Sequence, residues 1–342
     1  MGDATYARPI EDAASWRRRA VLLVAAAAVV VAGLVVPSST PASGATSASA
    51  YRFSMTWSKG KPVRWDPCTV ITWRINYAAG SAYKKELPRV KKAFAALARA
   101  TGMTFRYLGT SKYAPFTSIA SRKETASILV GFAKPGRSGL PRRSSVAGLG
   151  GAGQGWPKDA LGFGPFYSKL PYVSGQAVWD ANVVKRISSG QKRSLYLHEL
   201  GHVMGLDHTS KRSQIMYPAL LPSTPTNFGA GDRAGLKKLG RSQGCVRVPS
   251  RPAAPTVTVV GTDLVISVPA VTSPQPVTYR LETLQGYRSA AGTARSWTVP
   301  ISTFTGTGFS DATFRVTATN YFGDHIGPMT TWTDPTPPNP IP

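Results

Sequence analysis

Cysteine, histidine and acidic residues are all scarce in this chain. Only two cysteines occur in 342 residues, Cys68 and Cys245. Neither has a partner at metal-ligating spacing, which excludes a cysteine-based zinc site. There are 16 Asp and Glu against 41 Lys and Arg, a formal net charge of +25. The imbalance is local. Residues 51–250 hold 32 basic against 8 acidic side chains, while the last 92 residues hold five of each. Such a surplus suits contact with a polyanion (nucleic acid, an acidic wall polymer or an anionic membrane) as well as a plain solvated surface. No recognised nucleic-acid motif is present, so nucleic acid is not the expected partner. No internal repeat is visible. Hydrophobic residues make up 42% of the chain, which excludes global disorder.

Arg17, Arg18 and Arg19 precede an uncharged run over 20–36, and a Ser/Thr/Ala/Pro-rich stretch follows to Ala50. A basic flank, an apolar segment and small residues at Ala48, Ser49 and Ala50 describe a secretory signal, with Ala45 as an alternative cleavage point. The run of 17 residues also meets the short limit of a membrane span. The expectation is a secreted, extracellular protein, or one held by a single N-terminal anchor with the remainder outside. Residues 1–50 are therefore set apart from the fold. Cys68 and Cys245 then bracket the central region. In an exported chain they read as one disulfide closing that domain, the alternative being two unpaired thiols.

Two segments remain, 51–248 and 256–333, joined by a Pro-rich linker over 249–255 and followed by a Pro-rich, disordered tail over 334–342. The first mixes strands and helices. Strands are expected over 70–77, 103–108, 127–132, 146–153 and 176–181, and helices over 84–101, 191–205 and 230–239. Pro88 belongs in the first turn of its helix or ends a preceding turn. The Gly- and Pro-rich region 134–175 is too long for a plain connection. The second segment reads as all strand, with runs over 256–260, 263–269, 277–284, 296–300 and 314–320, as in a β-sandwich. The fold class is α+β, followed by a smaller all-β domain.

Three of the four histidines fall within eleven residues: His198, Glu199, Leu200, Gly201, His202, Val203, Met204, Gly205, Leu206, Asp207, His208. On a helix, His198 and His202 share a face and can point two imidazoles at one metal ion. Glu199 lies within reach of a water on that ion without ligating it. Gly205 can adopt positive φ and turn the chain back. His208 then supplies the third ligand, with Asp207 as the alternative. Three imidazoles leave the open position that a catalytic zinc requires. The fourth histidine, His325, reads as an ordinary surface or turn residue.

This stretch resembles the zinc signature of the metzincin metallopeptidases, whose downstream methionine turn is matched by Ser213-Gln214-Ile215-Met216-Tyr217-Pro218. The Met-Tyr-Pro order is similar to the matrixin branch. The resemblance covers 51–248 and implies a twisted mixed sheet with an active-site helix. It implies a zinc endopeptidase acting on protein or peptide substrates, with Glu199 as general base. It implies that Tyr217 shapes the pocket for the side chain after the scissile bond, and that Ala147 and Gly148 lie on the edge strand that takes up substrate backbone. It also implies one catalytic zinc, because no histidines remain for a second. Calcium needs clustered oxygens. Asp159 and Asp180 are the contributors on offer, and they do not support such a site. In the second segment, residues 314–323 resemble a late strand of fibronectin type III domains.

Overall fold

The computed structural model describes residues 49–57, 60–142, 145–155, 166–305 and 311–335. The N-terminal basic and apolar run, Asp159 and the tail from 336 lie outside the described residues.

A five-stranded sheet is the frame of the first domain. After the short strand β1 (Arg52–Phe53) come β2 (Val70–Asn76), β3 (Thr104–Thr110), β4 (Ile128–Ala133), β5 (Gly148–Gln154), β6 (Phe166–Tyr167) and β7 (Tyr172–Asp180). The sheet order is β3-β2-β4-β7-β5. Its first four strands run parallel, and β5 lies antiparallel to β7 at the edge. Every residue of β4 is buried, as expected of a central parallel strand covered on both faces.

The helices are α1 (Leu87–Thr101), α2 (Ser118–Lys123), α3 (Ala181–Arg186), α4 (Ser189–Met204) and α5 (Ala230–Leu239). Pro88 occupies the first turn of α1, where its missing N–H costs nothing. Ahead of it the chain makes a 3-10 turn over Ser81–Glu86, so the helix starts three residues later than its sequence pattern suggests. The apolar face of α1 meets the sheet, with Phe94 stacked on Trp73 at 4.1 Å between ring centroids. Phe132 and Trp179 bring the sheet against Tyr196 of α4. Glu86, 1% exposed, is held by Lys192 Nζ (3.1 Å), Arg89 Nη1 (3.1 Å) and the Tyr196 hydroxyl (3.2 Å), which locks the start of α1 to α4.

Cys68 and Cys245 form the expected disulfide, with Cα atoms 5.4 Å apart and a sequence separation of 177. Closing so long a loop is worth about 5 kcal/mol in the chain-entropy account.

Beyond β8 (Leu206–Asp207), the second segment holds β9 (Thr256–Val260), β10 (Asp263–Ser267), β11 (Thr278–Thr283), β12 (Ser296–Pro300), the one-turn helix α6 (Ser302–Thr305), β13 (Asp311–Asn320) and β14 (Gly323–Thr333). One sheet has the order β12-β10-β9, and the other β11-β13-β14-β6. Leu264, Ile266 and Val299 of the first sheet share a core with Leu281, Phe314 and Val316 of the second. His325 lies within β14, half-buried, with Nδ1 3.2 Å from the Pro249 carbonyl.

The domain boundary is less clean than the sequence suggests. Strand β6 comes from the first segment yet pairs with β14 of the second. Trp57, Tyr167, Val246, Val248, Tyr321 and Phe322 pack together at this junction. The proline-rich stretch is docked as well, since Ser250 and Thr272 exchange two hydrogen bonds of 2.8 and 2.9 Å.

Candidate metal centre

Helix α4 starts at a capping box: Ser188 Oγ accepts from the Gln191 N–H, and Gln191 Oε1 from the Ser188 N–H, each at 3.2 Å. It stops at Gly205, whose φ of 104° closes the helix with N–H bonds to Gly201 and His202 carbonyls. The reversal lets β8 carry the chain back to His208.

The Nε2 atoms of His198, His202 and His208 are each 3.2 Å from the other two. Tetrahedral zinc with Zn–N bonds of about 2.0–2.1 Å requires donors about 3.3 Å apart, so the three rings fit that ion. His198 Nδ1 donates to the Ile215 carbonyl (2.8 Å) and His202 Nδ1 to the Leu206 carbonyl (2.9 Å). These bonds fix the tautomer that leaves both Nε2 lone pairs free. Asp207, the alternative third ligand, accepts the His208 N–H through Oδ1 (2.7 Å) and is absent from the convergent cluster. The other cluster of potential donors among the described residues contains Cys68 and Cys245, which are bonded to each other.

All three histidines are held neutral, as ligation demands. Burial, then the neighbouring His202, keeps His198 well below the usual imidazole range. Burial, then His208, lowers His202 to about 4. Burial also lowers His208, partly offset by Asp207. Glu199, 4% exposed, is pushed up to about 8 by burial.

The Gly-rich strand β5 lies directly on this part of α4. A Cβ at Gly148 would stand 2.6 Å from Glu199 Oε1, and at Gly150 it would strike the Glu199 carbonyl. The structure thus places Gly148 against the Glu199 side chain. Ala147 accepts the Asp180 N–H through its carbonyl (2.8 Å). Asp180 itself caps α3 through Oδ1 (2.7 Å to the Asn182 N–H), which commits that oxygen to the backbone.

Met216 is buried beneath the helix, its sulfur against Gly201, which lies between His198 and His202 in α4. Tyr217 is half-buried next to it, with the Arg212 guanidinium 5.8 Å from its ring centroid. The turn hangs on a residue the motif reading passes over. Asp232 of α5, fully buried, accepts N–H bonds from Ile215 (2.7 Å), Met216 (3.3 Å) and Gly229 (2.8 Å). Burial raises the pKa of this carboxyl, and the three N–H donors oppose that rise. The sequence signal for Asp232 was its place three residues after Gly229 at a helix start. For Gly201 it was the small residue one position before a ligand.

Residues 172–240 match the Matrixin family, a span running from β7 through α5 that includes the three histidines and Glu199. A 47-residue stretch is 45% identical to Metalloendoproteinase 1-MMP of Arabidopsis thaliana and covers 14% of this chain. The match spans 13% of the length of that relative. Among solved structures, the spore cortex lytic enzyme SleM of Clostridium perfringens aligns at a TM-score of 0.21 and 12% identity, covering 25% of this chain and 27% of that one. A structure described as FN3tt mut aligns at 0.20 and 15% identity, covering 25% of this chain and 92% of its own.

Proposed function

We propose that the matrixin-like segment makes this chain a zinc-dependent endopeptidase with Glu199 as its general base. The observation that carries this reading is the triangle of Nε2 atoms 3.2 Å on a side; Glu199, next to His198 in α4, has a buried side chain set against β5. Zinc held by His198, His202 and His208 would supply Lewis acidity, polarising a peptide carbonyl and acidifying a water. The protein's own part is distinct. Glu199 accepts the water proton and returns it to the leaving amine. Gly148, the first residue of the edge strand β5, and Ala147 just before it take up the substrate backbone by strand addition. Tyr217 borders the pocket for the side chain after the cut.

Purified protein should contain one zinc per chain and cleave casein, with a chelator stopping cleavage. Glu199→Ala should retain the zinc and lose cleavage. Zinc-loaded Glu199→Ala that still cut substrate would remove Glu199 from this role.

The setting of the enzyme is part of the same reading. The N-terminal signal delivers it outside the cell, free or tethered by that segment, and fractionation of an expressing culture tests this. The C-terminal sheets form a fibronectin type III-like module. The basic domain associates with an anionic surface polymer. One observation favours that partner: the described acids of 51–248 are all engaged internally. Asp66 pairs with Arg247 (2.7 Å), Glu86 with Arg89 and Lys192, and Glu124 with Arg74 (3.7 Å). Asp180, Asp207 and Asp232 hold backbone N–H groups, and Glu199 lies in the site. Exposed Lys84, Lys85, Lys92, Arg99, Lys237 and Lys238 therefore face solvent without a carboxylate to offset them among the described residues.

A further inference from the structure

The N-terminal strand reaches the metal centre from outside the signature. Arg52 and Phe53 pair antiparallel with Asp207 and Leu206, inside the short link between Gly205 and His208. Ser54 extends the pairing: its N–H donates to the Gly205 carbonyl and its Oγ to the Leu206 carbonyl, both at 2.9 Å. The Leu206 carbonyl is the same acceptor that receives His202 Nδ1 at 2.9 Å. Both lone pairs of that oxygen are thus used, one by a ligand and one by Ser54. The link would otherwise be a two-residue strand with no partner.

Both flanks of the strand are fixed. Tyr51 packs on Gly235 of α5, 5.3 Å from the Phe53 ring, with Lys238 Nζ 5.3 Å from its ring centroid. Met55 accepts the Val63 N–H (3.1 Å), and Trp57 Nε1 donates to the Leu170 carbonyl (3.0 Å). The segment is therefore a strap, anchored on both sides, lying across the turn that delivers the third histidine.

We propose that residues Arg52–Ser54 are positioning residues for the metal. They hold the Leu206 carbonyl where it orients the His202 ring, and they hold the backbone leading to His208. This rests on the reading of the three histidines as one zinc site. Outer partners of metal-bound histidines typically tune affinity by about 10–100-fold, and this strap acts one bond further out.

The test measures zinc release from the full, disulfide-bonded chain into a chromophoric chelator, together with thermal melting of the metal-free protein. Ser54→Pro removes both hydrogen bonds from residue 54 and should release zinc about tenfold faster, while Ser54→Ala, which keeps the N–H, should release it about threefold faster. Ser54→Thr, which restores the hydroxyl, should return to the wild-type rate. Metal-free melting should change little in the alanine variant, which separates positioning from general stability. Wild-type release rates in both the proline and alanine variants would overturn the strap while leaving the zinc site intact. A wild-type protein that takes up no zinc would remove the metal centre and the strap's role together.

Discussion

A buried carboxyl with no cation against it resists ionisation, and Glu199 is in that position in the metal-free protein. Its folded pKa of about 8 lies above its ordinary value of 4.5, so its contribution to stability is complete below about 4.5 and is lost as pH rises through 8. The histidines act in the opposite sense. His202, lowered to about 4 from 6.5, contributes stability above 6.5 that is lost as pH falls toward 4. Metal-free protein should therefore melt lower on either side of an intermediate pH. Glu199→Gln should remove the alkaline loss alone, so that its melting temperature overtakes the wild type between pH 5 and about 8, as calorimetry across that range would record. Gly148 offers a second residue-level test. The added Cβ of Gly148→Ala would overlap the Glu199 carboxyl and its Cγ, at 2.6 to 2.9 Å, so that side chain must shift. The expected outcome is a fall in kcat of about 10-fold or more, from displacement of the proposed general base, with zinc content unchanged. Unchanged kcat would show that the carboxyl has room elsewhere.

Helix α5 and the methionine turn stand or fall together, because Asp232 is where their backbones meet. Asp232→Ala leaves buried N–H groups unsatisfied and should cost about 2–4 kcal/mol in urea denaturation. It should also speed zinc release, since His198 is oriented by the Ile215 carbonyl of the same turn. Elements with strong periodicity were legible in the sequence. Helix α5 has the bounds expected from its pattern, α4 begins two residues earlier than expected, and strands β2 to β5 shift by one or two residues. The convergence of two imidazoles was legible because helical spacing alone puts His198 beside His202, and Gly205 marked the reversal that brings His208 to them. Strands β1, β6 and β8 were not, since two residues carry no periodicity and their existence depends on partners far along the chain. Strand β14 was passed over because Gly327 and Pro328 interrupt its pattern and exposed positions alternate weakly. Helix α3 is set by its Asp180 cap rather than by a long apolar stripe.

Across the whole molecule, the junction of the two segments resembles an interior more than a tether. Phe322 is 2% exposed and lies edge-on to Trp57 at 5.6 Å, and Lys61 and Lys169 each place an ammonium near the Tyr321 ring, at 4.1 and 4.6 Å. The chain should unfold in one calorimetric transition. Phe322→Ala, at a cost of about 3–5 kcal/mol for a buried aromatic, should split that transition in two; two transitions already present in the wild type would mean that the segments fold independently.

The internal use of acids in the first domain has a consequence for how far the protein can travel. Surface charge there comes almost wholly from lysine and arginine, whose protonation hardly changes between mildly acid and mildly alkaline conditions. Acidification would neither free nor strengthen the proposed hold on an anionic matrix to any great degree, whereas added salt would weaken it over the span of a Debye length. On the proposed anionic matrix such a protein would behave like a bead of resin already loaded at every pH, eluted by brine and retained in dilute surroundings.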